Sequence, residues 1–239
     1  MSTYIMSDLH GCKEEFDLML NKISFSNYDE LWIVGDICDR GKYPIKLLQE
    51  IMNNDNMHII YGNHDLWLEK YIDDIIEIKK GNLSILDMNE DYHVWFFYNG
   101  GKITVENLLD LSYPEIYDIK LYLENKIIYK HLSIKGQKYL LVHAGIDILH
   151  FNQANNIDSI AEDVLLWSHI GIDDNPYKDK VMIVGHTPTF LYGPEYDGKI
   201  IKGKNIYHID AGCIYGRQLA CLRLDDLEEF YIPSTYQKV

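Results

Sequence analysis

Leu31-Trp32-Ile33-Val34-Gly35-Asp36-Ile37-Cys38-Asp39-Arg40-Gly41 starts as four apolar residues. At a glycine it turns into a polar loop with two aspartates and an arginine. A short apolar run stopped by glycine reads as a buried strand, here residues 31–34. The chain on either side repeats the arrangement. Residues 3–7 read as a strand that runs into Asp8-Leu9-His10-Gly11, and Phe16, Met19, Leu20 and Ile23 then recur at the spacing of one helix face. Downstream, Ile45, Leu48 and Met52 mark a second helix and residues 58–61 a third strand. Leu68, Tyr71, Ile72, Ile75 and Ile76 mark a third helix. This β-α-β-α-β start predicts an α/β fold.

Farther along the periodicity weakens. Residues 81–136 read as less regular, with Trp95, Phe96 and Phe97 beside an Asn99-Gly100-Gly101 turn. Residues 139–142 and 181–184 read as strands. Between them Ile157, Ile160, Ala161, Val164 and Leu165 make a helix face, and 206–209, 218–224 and 228–232 read as β. Without an internal repeat or long linker, the expectation is one domain over 1–239, with 81–136 as an insertion or cap.

The charge balance narrows the partners. Thirty-seven acidic residues against 22 basic ones give −15, a field that repels nucleic acid and anionic membranes. Phosphate chemistry on such a chain needs a local positive centre, and bound metal supplies one. Cys12, Cys38, Cys213 and Cys221 contain no C-x-x-C pair and read as reduced thiols in a cytoplasmic monomer. The start, MSTYIMSDLH, lacks the basic and apolar regions of a signal peptide, and no apolar run is long enough to span a membrane.

Five polar motifs stand at the ends of strand candidates: Asp8-Leu9-His10-Gly11, Gly35 to Gly41, Gly62-Asn63-His64-Asp65, Val142-His143-Ala144-Gly145 and Gly185-His186-Thr187. Open α/β sheets bind ligands beyond the carboxyl ends of their strands. Divalent metals of the hard and borderline kind take carboxylate, amide oxygen and imidazole. Asp8 and His10, at i and i+2, project to the same side of an extended chain. Asp36 has one oxygen for each of two metals, which together clamp an in-line displacement at phosphorus and activate water. His64 held by Asp39 suits a general acid, and Arg40 suits a phosphate clamp. His58, His93, His131 and His150 lie outside the motifs and read as structural.

The ordered set DLHG, GDICDRG, GNHD, VHAG and GHT resembles the calcineurin-like metallophosphoesterase superfamily over residues 4–224. It is most similar to the branch of bacterial serine/threonine protein phosphatases and symmetrical diadenosine tetraphosphatases. The Asp-Arg-Gly ending of the second motif and Pro188 after His186 mark that branch. Asn99-Gly100-Gly101…Thr104 and Ile209-Asp210-Ala211-Gly212 resemble it too. The resemblance implies two mixed β-sheets packed face to face and flanked by helices. It implies that Asp8, His10 and Asp36 hold one metal and that Asp36, Asn63, His143 and His186 hold the other. The expected ions are manganese, with iron or zinc as alternatives, and no organic cofactor. His64 would be the acid oriented by Asp39, with Arg40, Asn63 and His64 on the phosphate. A metal-bridging hydroxide would attack without a phosphoenzyme.

One position departs from the branch. Relatives often carry arginine two residues after a tryptophan in the helix following the fourth motif, and Trp167-Ser168-His169 places His169 there. His169 is the partial replacement and Arg217 the candidate compensating cation. The leading expectation is a phosphatase of phosphoserine and phosphothreonine in proteins. The alternatives are a symmetrical dinucleoside tetraphosphate hydrolase, acting on a small phosphorylated substrate, and a metal-binding regulator with weak catalysis.

Overall fold

Strands that are apolar on both faces are stable only between layers, and the chain is built that way. The computed structural model describes residues 1–154 and 156–236; Asn155 and 237–239, which the expected 1–239 domain includes, lie outside the described residues. The elements run β1 (Thr3–Met6), α1 (Lys13–Lys22), β2 (Glu30–Val34), α2 (Pro44–Met52), β3 (Met57–Ile60) and α3 (Asn63–Lys80). Next come α4 (Glu90–His93), α5 (Gly101–Asp110), α6 (Tyr113–Leu123), β4 (Tyr129–Ile134), β5 (Gln137–Val142), α7 (Ile148–Gln153) and α8 (Glu162–Trp167). The chain ends in β6 (Val181–Val184), β7 (Ile201–Gly203), β8 (Ile206–His208), β9 (Gln218–Arg223) and β10 (Glu228–Pro233). Among the described residues no helix is long and apolar enough to cross a membrane.

Two mixed sheets result, ordered β10-β9-β1-β2-β3 and β4-β5-β6-β8-β7. β1, β2 and β3 are parallel, as are β5, β6 and β8, and the remaining pairings are antiparallel. Strand alternation divides the apolar residues among three layers. Ile5, Trp32, Val34 and Ile60 meet Tyr139, Leu141, Ile183 and Tyr207 between the sheets. Tyr4, Met6, Leu31 and Ile33 face the other way, with Phe16 of α1, Leu48 of α2 and Leu68 of α3. Leu140, Val142, Met182 and Val184 pack outward with Leu165 of α8. The expected pair of face-packed sheets flanked by helices is what forms. Five of the six parallel strands, β1, β2, β3, β5 and β6, point their carboxyl ends into loops that carry the polar motifs.

Two expectations need correcting. Residues 81–136 are mostly helical, through α4, a π turn at Val94–Tyr98, α5 and α6, before β4 begins. Their order comes from burial: Tyr92, Trp95, Val105, Leu108, Ile116 and Ile119 are fully buried. Gly100, at φ 88°, turns the chain into α5, and Ser112 with Glu115 forms a capping box at α6. The helix expected across Ile157–Leu165 is split. Asn156 accepts from Ser159 N at 3.0 Å and closes a 3-10 turn, and α8 starts only at Glu162. The edge strands β4 and β7 had no clear pattern, since each is half exposed.

Candidate metal centre

The loops after β1, β2, β3, β5 and β6 converge. Asp8, His10, Asp36, Asp39, Arg40 and His186 all take positive φ, between 39° and 73°. Residues with a Cβ avoid this region, so such conformations persist only where the surroundings enforce them. Here the enforcement is visible. Asp8 N donates to Gly35 O at 3.0 Å, His10 N to Asp36 O at 2.8 Å and Gly11 N to Ile37 O at 2.9 Å. The buried Asp65 carboxylate accepts from the backbone N–H groups of Asp36 (2.8 Å), Ile37 (3.0 Å) and Gly62 (3.0 Å). A side chain at Gly62 would collide with Asp36 Oδ1, and one at Gly185 with Asp8 Oδ2. These glycines let the backbone pass directly behind the carboxylates.

Asp36 stands in the middle. Its Oδ2 lies 3.4 Å from His10 Nε2 and its Oδ1 lies 3.5 Å from His143 Nε2, so its two oxygens face two separate groups. One group joins His10, Asp36 and His64; the other joins Asp36, His143 and His186, with potential ligand atoms within 4.8 Å in each. His10 Nδ1–H donates to Cys38 O at 2.8 Å and His143 Nδ1–H to Val34 O at 3.0 Å. These bonds fix both tautomers with the Nε2 lone pair turned inward, as a metal ligand requires. His143 Nε2 then lies 3.1 Å from Asn63 Oδ1 and 3.2 Å from His186 Nδ1. His186 Nε2 is buried without a hydrogen-bond partner.

The electrostatics call for positive charge. Burial, aided by the Arg40 guanidinium, holds His10 down at about 4, and burial holds His186 down at about 3, so both rings are neutral at physiological pH. Burial also raises Asp8, helped by the neighbouring charges of Asp210 and Asp36, and brings Asp210 up to about 7. Neutral imidazoles, an amide oxygen and crowded carboxylates fit divalent ions.

Beside this centre Asp39 is wholly buried and anchors His64, whose Nδ1–H donates to Asp39 Oδ2 at 2.6 Å. The same oxygen accepts from Trp95 Nε1 at 2.6 Å, and Oδ1 accepts from Thr104 Oγ1 at 2.6 Å. Arg40 donates to His10 Nε2 at 2.7 Å, to His64 Nε2 at 2.8 Å and to Tyr215 Oη at 3.2 Å.

Most of the expected residues meet here. Asp8 sits at one side, both its oxygens accepting from His186 N at 3.1 Å. His169 lies at the exposed rim, its ring 5.0 Å from that of His186 and its Nδ1 3.0 Å from Thr187 Oγ1. Arg217 does not join the cluster: its Nε donates to Asp197 Oδ1 at 2.9 Å and its Nη1 to Tyr215 O at 2.7 Å. A tyrosine carbonyl and an exposed carboxylate hold that guanidinium outward. Asp65, Trp95, Tyr215 and Asp210 had no assigned role in the sequence reading. Two of them had a signal: Asp65 adjoins Asn63 and His64 in the same motif, and Asp210 lies in the Ile209-Asp210-Ala211-Gly212 segment.

Comparison with known proteins agrees with this geometry. The family model described as calcineurin-like phosphoesterase matches residues 1–216. A symmetrical bis(5'-nucleosyl)-tetraphosphatase of Haemophilus ducreyi is 51% identical over 70 residues, 28% of this chain and 26% of that protein. The chain therefore aligns with about a quarter of that relative's length. The corresponding protein of Buchnera aphidicola subsp. Baizongia pistaciae is 25% identical over 292 aligned positions covering 100% of both chains. A solved structure described as a candidate diadenosine tetraphosphatase superposes with a TM-score of 0.68 at 17% identity, over 99% of this chain and 95% of that one; this shows the shared fold.

Proposed function

The chain belongs to the calcineurin-like phosphoesterase family, a family of metal-dependent hydrolases of phosphoesters, and from that premise we propose that it cleaves a dinucleoside tetraphosphate symmetrically into two nucleoside diphosphates. The full-length likeness to a tetraphosphatase of that specificity carries the reading. A cleft of about 490 Å³ beside Arg40 supports it. Phe97, Tyr98, Ile214, Tyr215 and Tyr236 line it, and Phe97 and Tyr98 are exposed. Aromatic faces next to a phosphate clamp suit a nucleobase attached to the phosphate chain.

Asp8, His10 and Asp36, and Asp36, Asn63, His143 and His186, are the proposed holders of two divalent ions, with manganese as the expected pair. Such ions, when bound, supply Lewis acidity at phosphorus and an activated water. The chain's own residues do the rest. Arg40 now spans the two imidazoles of His10 and His64, and a polyphosphate offers its guanidinium a better, charged partner. Released from Arg40, His64 Nε2 takes up a proton and gives it to the departing phosphate oxygen. The Asp39 carboxylate stabilises the imidazolium and fixes Nδ1–H. Trp95 and Thr104 bring the 81–136 segment into this assembly as the support of Asp39.

Phosphoserine and phosphothreonine in proteins are the second reading. The Buchnera alignment runs over 292 positions against a chain of 239 residues, so the relative has segments with no counterpart here. If those segments cover the relative's site, their absence here leaves room for a bulkier substrate. The manganese-loaded protein should be assayed on diadenosine tetraphosphate beside a phosphothreonine peptide, with Asp36→Asn as control. ADP as sole nucleotide product supports the proposal; AMP with ATP refutes symmetrical cleavage. Faster turnover of the peptide moves the assignment to the second reading. Turnover of neither substrate leaves a metal-binding regulator.

A further inference from the structure

Cys12, Glu15 and Cys213 form a second cluster, outside the residues used above. Cys12 is the residue before α1 and Glu15 follows at i+3, on the same side of the first turn. Cys213 comes from the turn after β8. Two sulfurs and one carboxylate oxygen lie within 4.8 Å of one another, and all three residues are buried. The Glu15 carboxylate accepts from Thr235 N and Thr235 Oγ1, each at 2.7 Å, and among the described residues no cation pairs with it. A buried carboxylate without a counter-charge is costly. A cleft of about 440 Å³ reaches Cys12 and Glu15 from solvent, with Lys13, Arg40, Lys42 and Thr235 also on its walls and Cys213 behind them.

We propose that Cys12, Glu15 and Cys213 bind one thiophilic divalent ion, of the zinc or cadmium class, at a site separate from the catalytic centre. Two thiolates and a carboxylate are the donors that favour such ions over manganese or magnesium, and three protein ligands leave a fourth position for water from the cleft. Binding releases the two thiol protons and puts a dication beside the Glu15 charge. Cys12 follows His10 by two residues, in a loop tied by Gly11 N to Ile37 O at 2.9 Å and by Cys12 N to Leu9 O at 2.8 Å.

The test titrates cadmium into the manganese-loaded, reduced protein and follows the thiolate-to-metal charge-transfer absorption. One equivalent should develop the band. Cys213→Ser should lose it, and Cys221→Ser, buried in the sheet, should keep it. Glu15→Gln should weaken binding by about tenfold or more. Zinc should also shield Cys12 and Cys213 from alkylation in the unmutated chain, a readout that needs no variant to fold. Absence of the band, its persistence in a folded Cys213→Ser protein, or equal alkylation of all four cysteines with zinc present would overturn the proposal. So would a loss of two thiols from the denatured, metal-free protein, which would show the sulfurs joined as a disulfide.

Discussion

Replacing Asp39 by asparagine tests the assignment of His64 with little disturbance to the fold. Both His64 Nδ1–H and Trp95 Nε1–H point at Oδ2, each at 2.6 Å, so the amide oxygen must occupy that place. The amide nitrogen then falls at Oδ1, 2.6 Å from Thr104 Oγ1, which has a lone pair to accept from it. The two bonds at Oδ2 survive with the same tautomer of His64; the Thr104 bond reverses, and Thr104 Oγ1, which also accepts from Asp39 N at 2.9 Å, turns its O–H away. A bond to a charged partner contributes about 1.5–3 kcal/mol against about 0.5–1.5 for a neutral one. The difference, about 1–1.5 kcal/mol, predicts a fall in kcat of roughly tenfold. Removing the acid outright with His64→Asn should cost roughly 10²–10⁴. Both losses should appear on an alkyl phosphate ester, whose alkoxide leaving group needs the proton, and shrink on p-nitrophenyl phosphate, whose leaving group needs none. Steady-state kinetics on the two substrate kinds, with melting curves to confirm folding, provide the measurement. Equal losses on both leaving groups would show that His64 acts through binding or metal retention and is not the acid.

Four other outcomes follow from the same geometry. Gly62→Ala forces Asp36 aside and should lower activity by about 10² or more, with metal content by elemental analysis falling in step, since displacements near 1 Å cost about that much. Arg40→Lys replaces a guanidinium that reaches His10, His64 and Tyr215 by a single point donor, and should raise KM more than it lowers kcat. Chelation should lower the melting temperature in a manner reversed by manganese, because ions that bind only the folded chain at 100 times Kd contribute about 2.7 kcal/mol. In the metal-free protein Asp210, raised by burial to about 7, favours folding fully below its ordinary carboxylate pKa and loses that contribution as pH rises through about 7. Asp210→Asn should therefore stabilise the metal-free chain at pH 8 by at least about 1 kcal/mol and be near neutral at pH 4, as read from urea unfolding at both pH values.

The sequence made the catalytic half of the molecule readable because strand and ligand lie within a few residues of each other. The run Leu31–Val34 predicts β2, and Asp36 stands two residues beyond its end, where the strands of an α/β sheet present ligand sites. His143 and His186 follow in the same way from β5 and β6. What stayed hidden depends on long-range packing. Trp95 reaches Asp39 across 56 residues and Thr104 across 65, from helices whose apolar spacing is obscured by a π turn and two adjacent glycines. Arg217 shows the opposite error. It was the candidate cation to compensate for the arginine replaced at His169, but Asp197 holds its side chain outward.

The same distance dependence explains why one segment joins stability to catalysis. Gly101 must lack a side chain because the Trp95 ring lies against it, and Gly100 because Arg40 does. Gly100 O accepts from Arg40 N at 3.1 Å, so the turn that starts α5 also holds the backbone of Arg40, the proposed phosphate clamp. Arg40 and Asp39 both sit at positive φ, a strained state that a loop alone would not keep. The buried aromatic packing of Tyr71, Tyr92 and Trp95 fixes this turn against α3, and through it the direction of Asp39. Loosening that packing, far from phosphorus, would let the Asp39–Arg40 backbone relax and would reach the chemistry through His64 and Arg40 together.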